Sequence, residues 1–209
     1  MKWLMLDSSC PRMVVALCVD GQLVACRYST ETKEHSELLS VLVNEVLTEA
    51  NLELAELTGV AVGKGPGSFI GSRIAMAYAK GICVALKIPL IGVGTLVSFA
   101  HEPGLLPGRR LALIDARRQE FYAQHFKCAV SGEIAVEDAA HLVSADSLPE
   151  LIQGSDCVVG TLSMQGPSAQ GMLGAFLARL KELPDGTDET DSLVPDYVRD
   201  PDAKPMPSV

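Results

Sequence analysis

Four groups of residues in this chain carry side chains or backbone suited to chemistry: Asp7-Ser8-Ser9, the glycine-rich run 63–73, Asp115-Ala116-Arg117-Arg118, and the histidines His35, His101, His125 and His141. The run Gly63-Lys64-Gly65-Pro66-Gly67-Ser68-Phe69-Ile70-Gly71-Ser72-Arg73 follows a short apolar stretch, Val60-Ala61-Val62. It opens into a helical pattern expected from Arg73 to Leu86. A strand that turns through glycines into a helix leaves unpaired N–H groups aimed at one place, and the helix dipole adds positive charge there. Such a place suits an anion or another stretch of backbone. It is not a P-loop, because Gly-Lys-Ser/Thr is missing. It is not a nucleophile elbow, because Pro66 stands where that motif has glycine. The plainer reading is a tight strand–helix joint.

Asp7 closes an apolar run and has two readings. It could hold a metal-bound nucleotide, or it could cap the following turn through backbone N–H groups. Capping is favoured, because the second half of the chain offers no evident set of adenosine-binding elements. Ser68 has the form of a nucleophile, yet no motif places a His/Asp pair beside it. The histidines lack i,i+4 spacing and the six cysteines form no C-x-x-C pair, so no metal site is expected. Arg117 and Arg118 follow a strand end and cannot both be buried unpaired. They are either solvated or in contact with a nucleotide, a phosphate or a partner's carboxylate.

The elements that would position these residues follow from pattern. At 209 residues, with 48% apolar and 21% charged residues, the chain can bury a core as one domain or two lobes. A net charge of -9 argues against autonomous binding to nucleic acid or an anionic membrane. Asp7 comes too early for a signal-peptide core, and a reducing cytoplasm suits the scattered cysteines. Strands are expected over 2–6, 13–19 and 22–28, the last two joined at Asp20-Gly21. A helical period covers 35–51, then a strand 59–62, the second helix, and a strand near 89–93. Residues 104–108 are rich in Gly and Pro and divide a lobe 1–103 from a smaller lobe 104–199, with 200–209 as a flexible tail. The opening pattern recurs at 110–115, where Asp115 ends its apolar run as Asp7 does. Strands are then expected at 120–126, 130–133 and 157–160, with a helix over 172–183.

This order is similar to the ribonuclease-H-like lobe of the actin/Hsp70/sugar-kinase superfamily. The segments Leu6-Asp7-Ser8-Ser9, His35-Ser36-Glu37, Gly65-Pro66-Gly67-Ser68-Phe69, Asp115-Ala116-Arg117-Arg118 and Pro195-Asp196-Tyr197-Val198-Arg199 together resemble the bacterial TsaB (YeaZ) family of tRNA threonylcarbamoyladenosine biosynthesis. The resemblance runs from about Lys2 to Arg199. Ile70, Ser72 and Gln119 depart from the threonine, leucine and glycine usual in that family. The resemblance implies an α/β fold of two lobes with a reduced second lobe, and a non-catalytic subunit. It implies pairing with the catalytic subunit TsaD, work with the ATPase TsaE, and self-pairing when TsaD is absent. Transfer to tRNA would then be TsaD's, and tRNA would be met only through the complex. No cofactor is expected for this subunit, with ATP or ADP at the complex interface a possibility. The residues open to nucleotide or partner are Asp7, Ser8, Gly65, Gly67, Ser68, Asp115, Arg117 and Arg118. A kinase or ATPase of the same fold, and a peptidase, are the rival readings.

The first two helices carry apolar residues on more than one side. Leu38, Leu42 and Val46 form one stripe, with Leu39, Val43 and Leu47 beside it; the second helix offers Ala75, Tyr78, Ala79 and Ile82. Either both helices are buried within the lobe, or part of this arc meets another subunit. The resemblance implies the second.

Overall fold

The computed structural model describes residues 1–31 and 35–199; the tail expected over 200–209 lies outside the described residues. Ten strands and five α-helices are found among them: β1 (Lys2–Asp7), β2 (Met13–Val19), β3 (Gln22–Ser29), α1 (His35–Glu49), β4 (Gly59–Gly63), α2 (Phe69–Leu86), β5 (Leu90–Val93), α3 (Thr95–Ala100), β6 (Gly108–Asp115), β7 (Glu120–Cys128), β8 (Ile134–Val136), β9 (His141–Ser144), α4 (Leu148–Gln153), β10 (Cys157–Gly160) and α5 (Ala169–Glu182). They build two sheets, ordered β3-β2-β1-β4-β5 and β10-β6-β7-β8, with β9 also paired to β7.

The central strands of the first sheet are apolar throughout because both faces are covered. Side chains alternate across the pleat. Leu4, Leu6, Val60 and Val62 face α1 and α2, packing on Leu39, Val43, Val46, Ala75 and Ala79. Trp3, Met5 and Ala61 face the other way, onto Met172 and Phe176 of α5. The Trp3 and Phe176 ring centroids lie 4.8 Å apart. The β2–β3 turn has Asp20 and Gly21 at φ 49° and 81°, the left-handed pair that a two-residue hairpin requires. On the second sheet, Leu96, Phe99 and Ala100 of α3 pack on Ala112, Ile114 and Phe126.

The chain does not keep to the order of its lobes. The helix α5 and the stretch after it, expected with the second lobe, return to the first sheet. Asp188 accepts from the Leu90 N–H at 3.0 Å, Glu189 from the Gly92 N–H at 2.6 Å, and Leu193 joins the first core. The physical reason is that α1 and α2 cover one face only, and an all-apolar sheet must cover both.

Three boundaries differ from expectation. The second helix starts at Phe69 rather than Arg73, because Ser68 caps it by accepting from the Gly71 N–H at 3.1 Å. Residues 130–133 form a turn, not a strand: Gly132 sits at φ 85° and donates to the Ala129 carbonyl, with β8 beginning after it. The helix over 172–183 begins at Ala169, again behind a serine, Ser168, which accepts from the Gly171 N–H.

The packing of α5 gives a direct test. Phe176→Ala should cost about 3–5 kcal/mol, the usual loss for a large buried aromatic, read as the midpoint of denaturant unfolding. A loss under about 1 kcal/mol would show that the first sheet does not depend on α5.

Candidate functional site

The residues expected to meet a nucleotide or partner separate into a sealed group and an open group. The sealed group surrounds Asp7. The glycines are needed there because this chain's own backbone occupies the space in front of them. A Cβ on Gly67 would lie 2.3 Å from the Ser9 carbonyl oxygen, one on Gly71 1.9 Å from that of Ser8, and one on Gly63 2.1 Å from the Asp7 carboxyl carbon. Ser68 N donates to Ser9 O at 2.6 Å, Ser8 Oγ to Gly71 O at 2.6 Å, and Thr95 N to Gly65 O at 2.8 Å. Of the bend's own donors, the Ser68 N–H is spent on the 7–9 loop and the Gly71 N–H on the Ser68 cap. Ser68 Oγ is held as a helix cap.

Asp7 itself is 1% exposed. Its Oδ1 accepts from the backbone N and Oγ of Ser9, at 2.8 and 2.5 Å, and its Oδ2 from Thr95 Oγ1 at 2.8 Å. Burial pushes the carboxyl above its ordinary value, outweighing the Ser9 and Thr95 bonds that pull it down. This is the turn-capping role, closed to solvent. His35 is buried beside the same loop; desolvation lowers its pKa, against a hydrogen bond with the Pro11 backbone.

The open group lies at the end of β6. Arg117, Arg118 and Gln119 stand at φ 65°, 56° and 60°, three successive left-handed residues without a glycine. Each such residue costs roughly 1–2 kcal/mol, so the turn needs support. Arg117 N donates to Asp115 Oδ1 at 2.7 Å, Ala116 N to Glu120 O at 2.9 Å and Ala145 N to Gln119 O at 2.8 Å. Arg199, eighty residues on, donates from Nη1 to the Ala116 carbonyl at 3.1 Å and from Nη2 to the Glu120 carboxylate. The Arg117 side chain is 79% exposed, with Asp115 3.6 Å away. Arg118 is exposed as well.

A cavity of about 550 Å³ opens between α3, α5, β7, β8 and residues 196–198. Lys64, His101, Gln124, Arg179, Glu182, Asp196 and Tyr197 are among the residues that line it. Of the candidate residues only Gly65 reaches it; Asp7, Ser68 and Arg117 do not.

The helices α1 and α2 require a correction. Leu39, Leu42, Val43, Val46, Leu47, Ala75, Ala79 and Ile82 are buried in the first core, and Leu38 and Tyr78 are half-buried against it. The wide apolar arc is spent within the lobe, so a charge at Leu39 or Val43 tests folding, not pairing. A different face of α2 remains open. Ile70 (69% exposed), Ala77, Gly81 and Val84 (67% exposed) face solvent, with Ile74 partly covered between them. Their numbers advance by four, three, four and three, the 3.5-residue period of a helix seam. Val41 of α1 is also exposed. At the start of α2, the Arg73 guanidinium lies 3.2 Å from the Phe69 ring centroid and 5.1 Å from that of Tyr197. The sequence shows Ile74, Ala77, Gly81 and Val84 as apolar or small residues of this helix, but does not set them apart as a seam. The period was visible in the sequence, but apolar residues all round the helix hid which side was out.

Two substitutions test these assignments. Gln119→Gly should raise stability by about 0.5–1 kcal/mol, since glycine accepts the left-handed conformation freely but loses more chain entropy on folding. A lowered unfolding midpoint would show that residue 119 is unstrained. Asp7→Asn should fold and retain biological activity. Because the folded carboxyl titrates above its unfolded value of 3.8, ionising it costs stability as pH rises past that value, and Asp7→Asn should remove this component. A hundredfold or greater loss of activity in a folded Asp7→Asn would restore the metal–nucleotide role.

Known proteins are similar to this chain in sequence and in fold. A family model described as TsaD, tRNA N6-adenosine threonylcarbamoyltransferase, matches residues 28–153. The tRNA threonylcarbamoyladenosine biosynthesis protein TsaB of Escherichia coli (strain K12) is 31% identical over 166 residues, covering 77% of this chain and 71% of its own. The protein of the same name from Bacillus subtilis (strain 168) is 27% identical over 217 residues, 94% of this chain and 93% of its own. The solved structure of YeaZ from Pseudomonas aeruginosa matches with a TM-score of 0.76 at 25% identity, over 94% of this chain and 99% of that one. The fold is therefore a two-sheet α/β architecture shared with YeaZ.

Proposed function

Since the chain belongs to the TsaB (YeaZ) family, we propose that it is a non-catalytic subunit of the machinery that forms threonylcarbamoyladenosine in tRNA. It acts in the cytoplasm by pairing with a TsaD-type transferase and, with it, engaging a TsaE-type ATPase. The match to a transferase family model does not make this chain the transferase. Its own Asp7 is sealed by Ser9, Thr95 and Gly63, so the aspartate that would have to reach a metal-bound nucleotide faces protein instead.

One observation carries the pairing: the exposed seam Ile70, Ile74, Ala77, Gly81 and Val84 on α2. α2 has a mean hydropathy of 1.4 and is long enough to cross a bilayer. Its inner face, with Ala75, Met76, Ala79, Ile82 and Cys83, is packed into the lobe. A helix that is already half core and still apolar outward needs a second apolar surface. Ala77 and Gly81 in mid-seam let another helix approach closely, and the 3.5 period suits a helix laid nearly parallel or antiparallel. The partner is a TsaD-type subunit, or a second copy of this chain in its absence. ATP or ADP, if engaged, is bound by the assembly rather than by the loop at Asp7.

Val84→Glu should leave the monomer folded, since Val84 is solvated, with stability within about 0.5 kcal/mol by circular dichroism melting. The same change should abolish pairing in light scattering, because it desolvates a charge with no partner. Normal pairing of Val84→Glu and of Ile70→Glu would reject the seam.

A further inference from the structure

We infer that Phe69, Arg73, Tyr197 and Arg117 form a contact surface for single-stranded RNA, on the side of the molecule where the two sheets are strapped together. This inference rests on the tRNA reading above for its biological setting, but its grounds are local. Phe69 and Tyr197 are 51% and 47% exposed, with ring centroids 6.0 Å apart, and the Arg73 guanidinium is packed on both. Two residues past Tyr197, Arg199 grips the Ala116 carbonyl and the Glu120 carboxylate. Residues 197–199 thus join the aromatic group at the start of α2 to the left-handed turn at 117–119.

A merely structural role explains part of this arrangement. Arg73 between two rings fastens residues 196–198 to α2, and Arg199 braces the turn. It does not explain why three non-glycine residues are held left-handed so that Arg117 projects into water. Strain maintained by many bonds marks a group held out for contact. On a chain with net charge -9, the surface gathers Arg73, Arg117, Arg118 and Arg199. Among the described residues the carboxylates beside them include Asp115, Glu120 and Asp196, paired with Arg117, Arg199 and Lys64.

Half-exposed rings with a guanidinium against one side suit an unstacked base on the ring surface left open, and Arg117 suits the phosphates beside it. A partner's acidic segment would use the arginines but leave the rings idle. The site is small, so few phosphates are neutralised and binding by this chain alone stays weak and salt-sensitive, as its charge requires.

The test is fluorescence anisotropy with a labelled anticodon stem-loop RNA. It is run on the chain with a TsaD-type partner and on the chain alone at low salt, so that the surface is examined whether or not pairing occurs. Tyr197→Ala should weaken RNA binding about tenfold in both settings, and Tyr197→Phe should restore it. Arg117→Ala should weaken binding several-fold and reduce the dependence of log affinity on log salt by about one. Circular dichroism and pairing of each variant are checked in parallel. Unchanged affinity and salt dependence in the variants would overturn the surface, as would loss of protein pairing with RNA affinity intact. Failure of the wild-type chain to pair, with the RNA effects present, would reject the assembly proposed above while leaving this surface standing.

Discussion

Backbone pressed against backbone governs this molecule. The 7–9 loop and the glycine bend approach so closely that Cβ atoms at Gly67 and Gly71 would collide with the carbonyls of Ser9 and Ser8. That contact fixes where α2 begins, since Ser68 both donates to Ser9 and caps the helix. It buries Asp7 and turns a loop that resembles an anion cradle into a joint. The outward face of α2, with Ile70 and Val84, is then left exposed while the inner face is locked in place.

The second constraint is the first sheet's need for cover on both faces. Two helices come from the chain that builds the sheet; the third, α5, comes from beyond the second sheet. The second half of the chain therefore serves two bodies, and residues 188–199 run from the β5 edge to the turn at 117–119. The lobes are tied by this strap as well as by α3, whose Val97 touches the cores on either side.

Much of this was legible in the sequence where local chemistry decides. The strands at 2–6, 13–19 and 157–160 are short apolar runs, and Asp20-Gly21 announces its own turn. The position of Asp7 at a strand end left capping and nucleotide binding both open, and the preference for capping came from the second half of the chain. Other features carry no local signature. α3 has six residues, too few to show a period. Val130 to Glu133 has the residues of a strand flank, but Gly132 takes a left-handed turn there. The burial of Leu39 and Val43 depends on which side of an apolar helix meets the sheet. Arg117, Arg118 and Gln119 have no intrinsic taste for left-handed geometry; the turn is braced in part by Ala145 and by Arg199, which bonds the Ala116 carbonyl from 83 residues on. Long-range contacts set these features, and pattern over a short window does not contain them.

The two carboxylates that meet β5 bear on how the protein behaves in solution. β5 ends the first sheet, and an end strand offers a row of bare amides to any extended peptide that drifts past. Asp188 and Glu189 stopper two of those amides, at Leu90 and Gly92. Hydrogen bonds from Thr190 and Leu90 hold the Asp188 carboxyl below its ordinary value although burial opposes them, so the stopper stays charged well into mild acid. Two of the amides through which another strand could add to this apolar edge are thereby closed, by a loop whose acidity would otherwise pass for mere solubility.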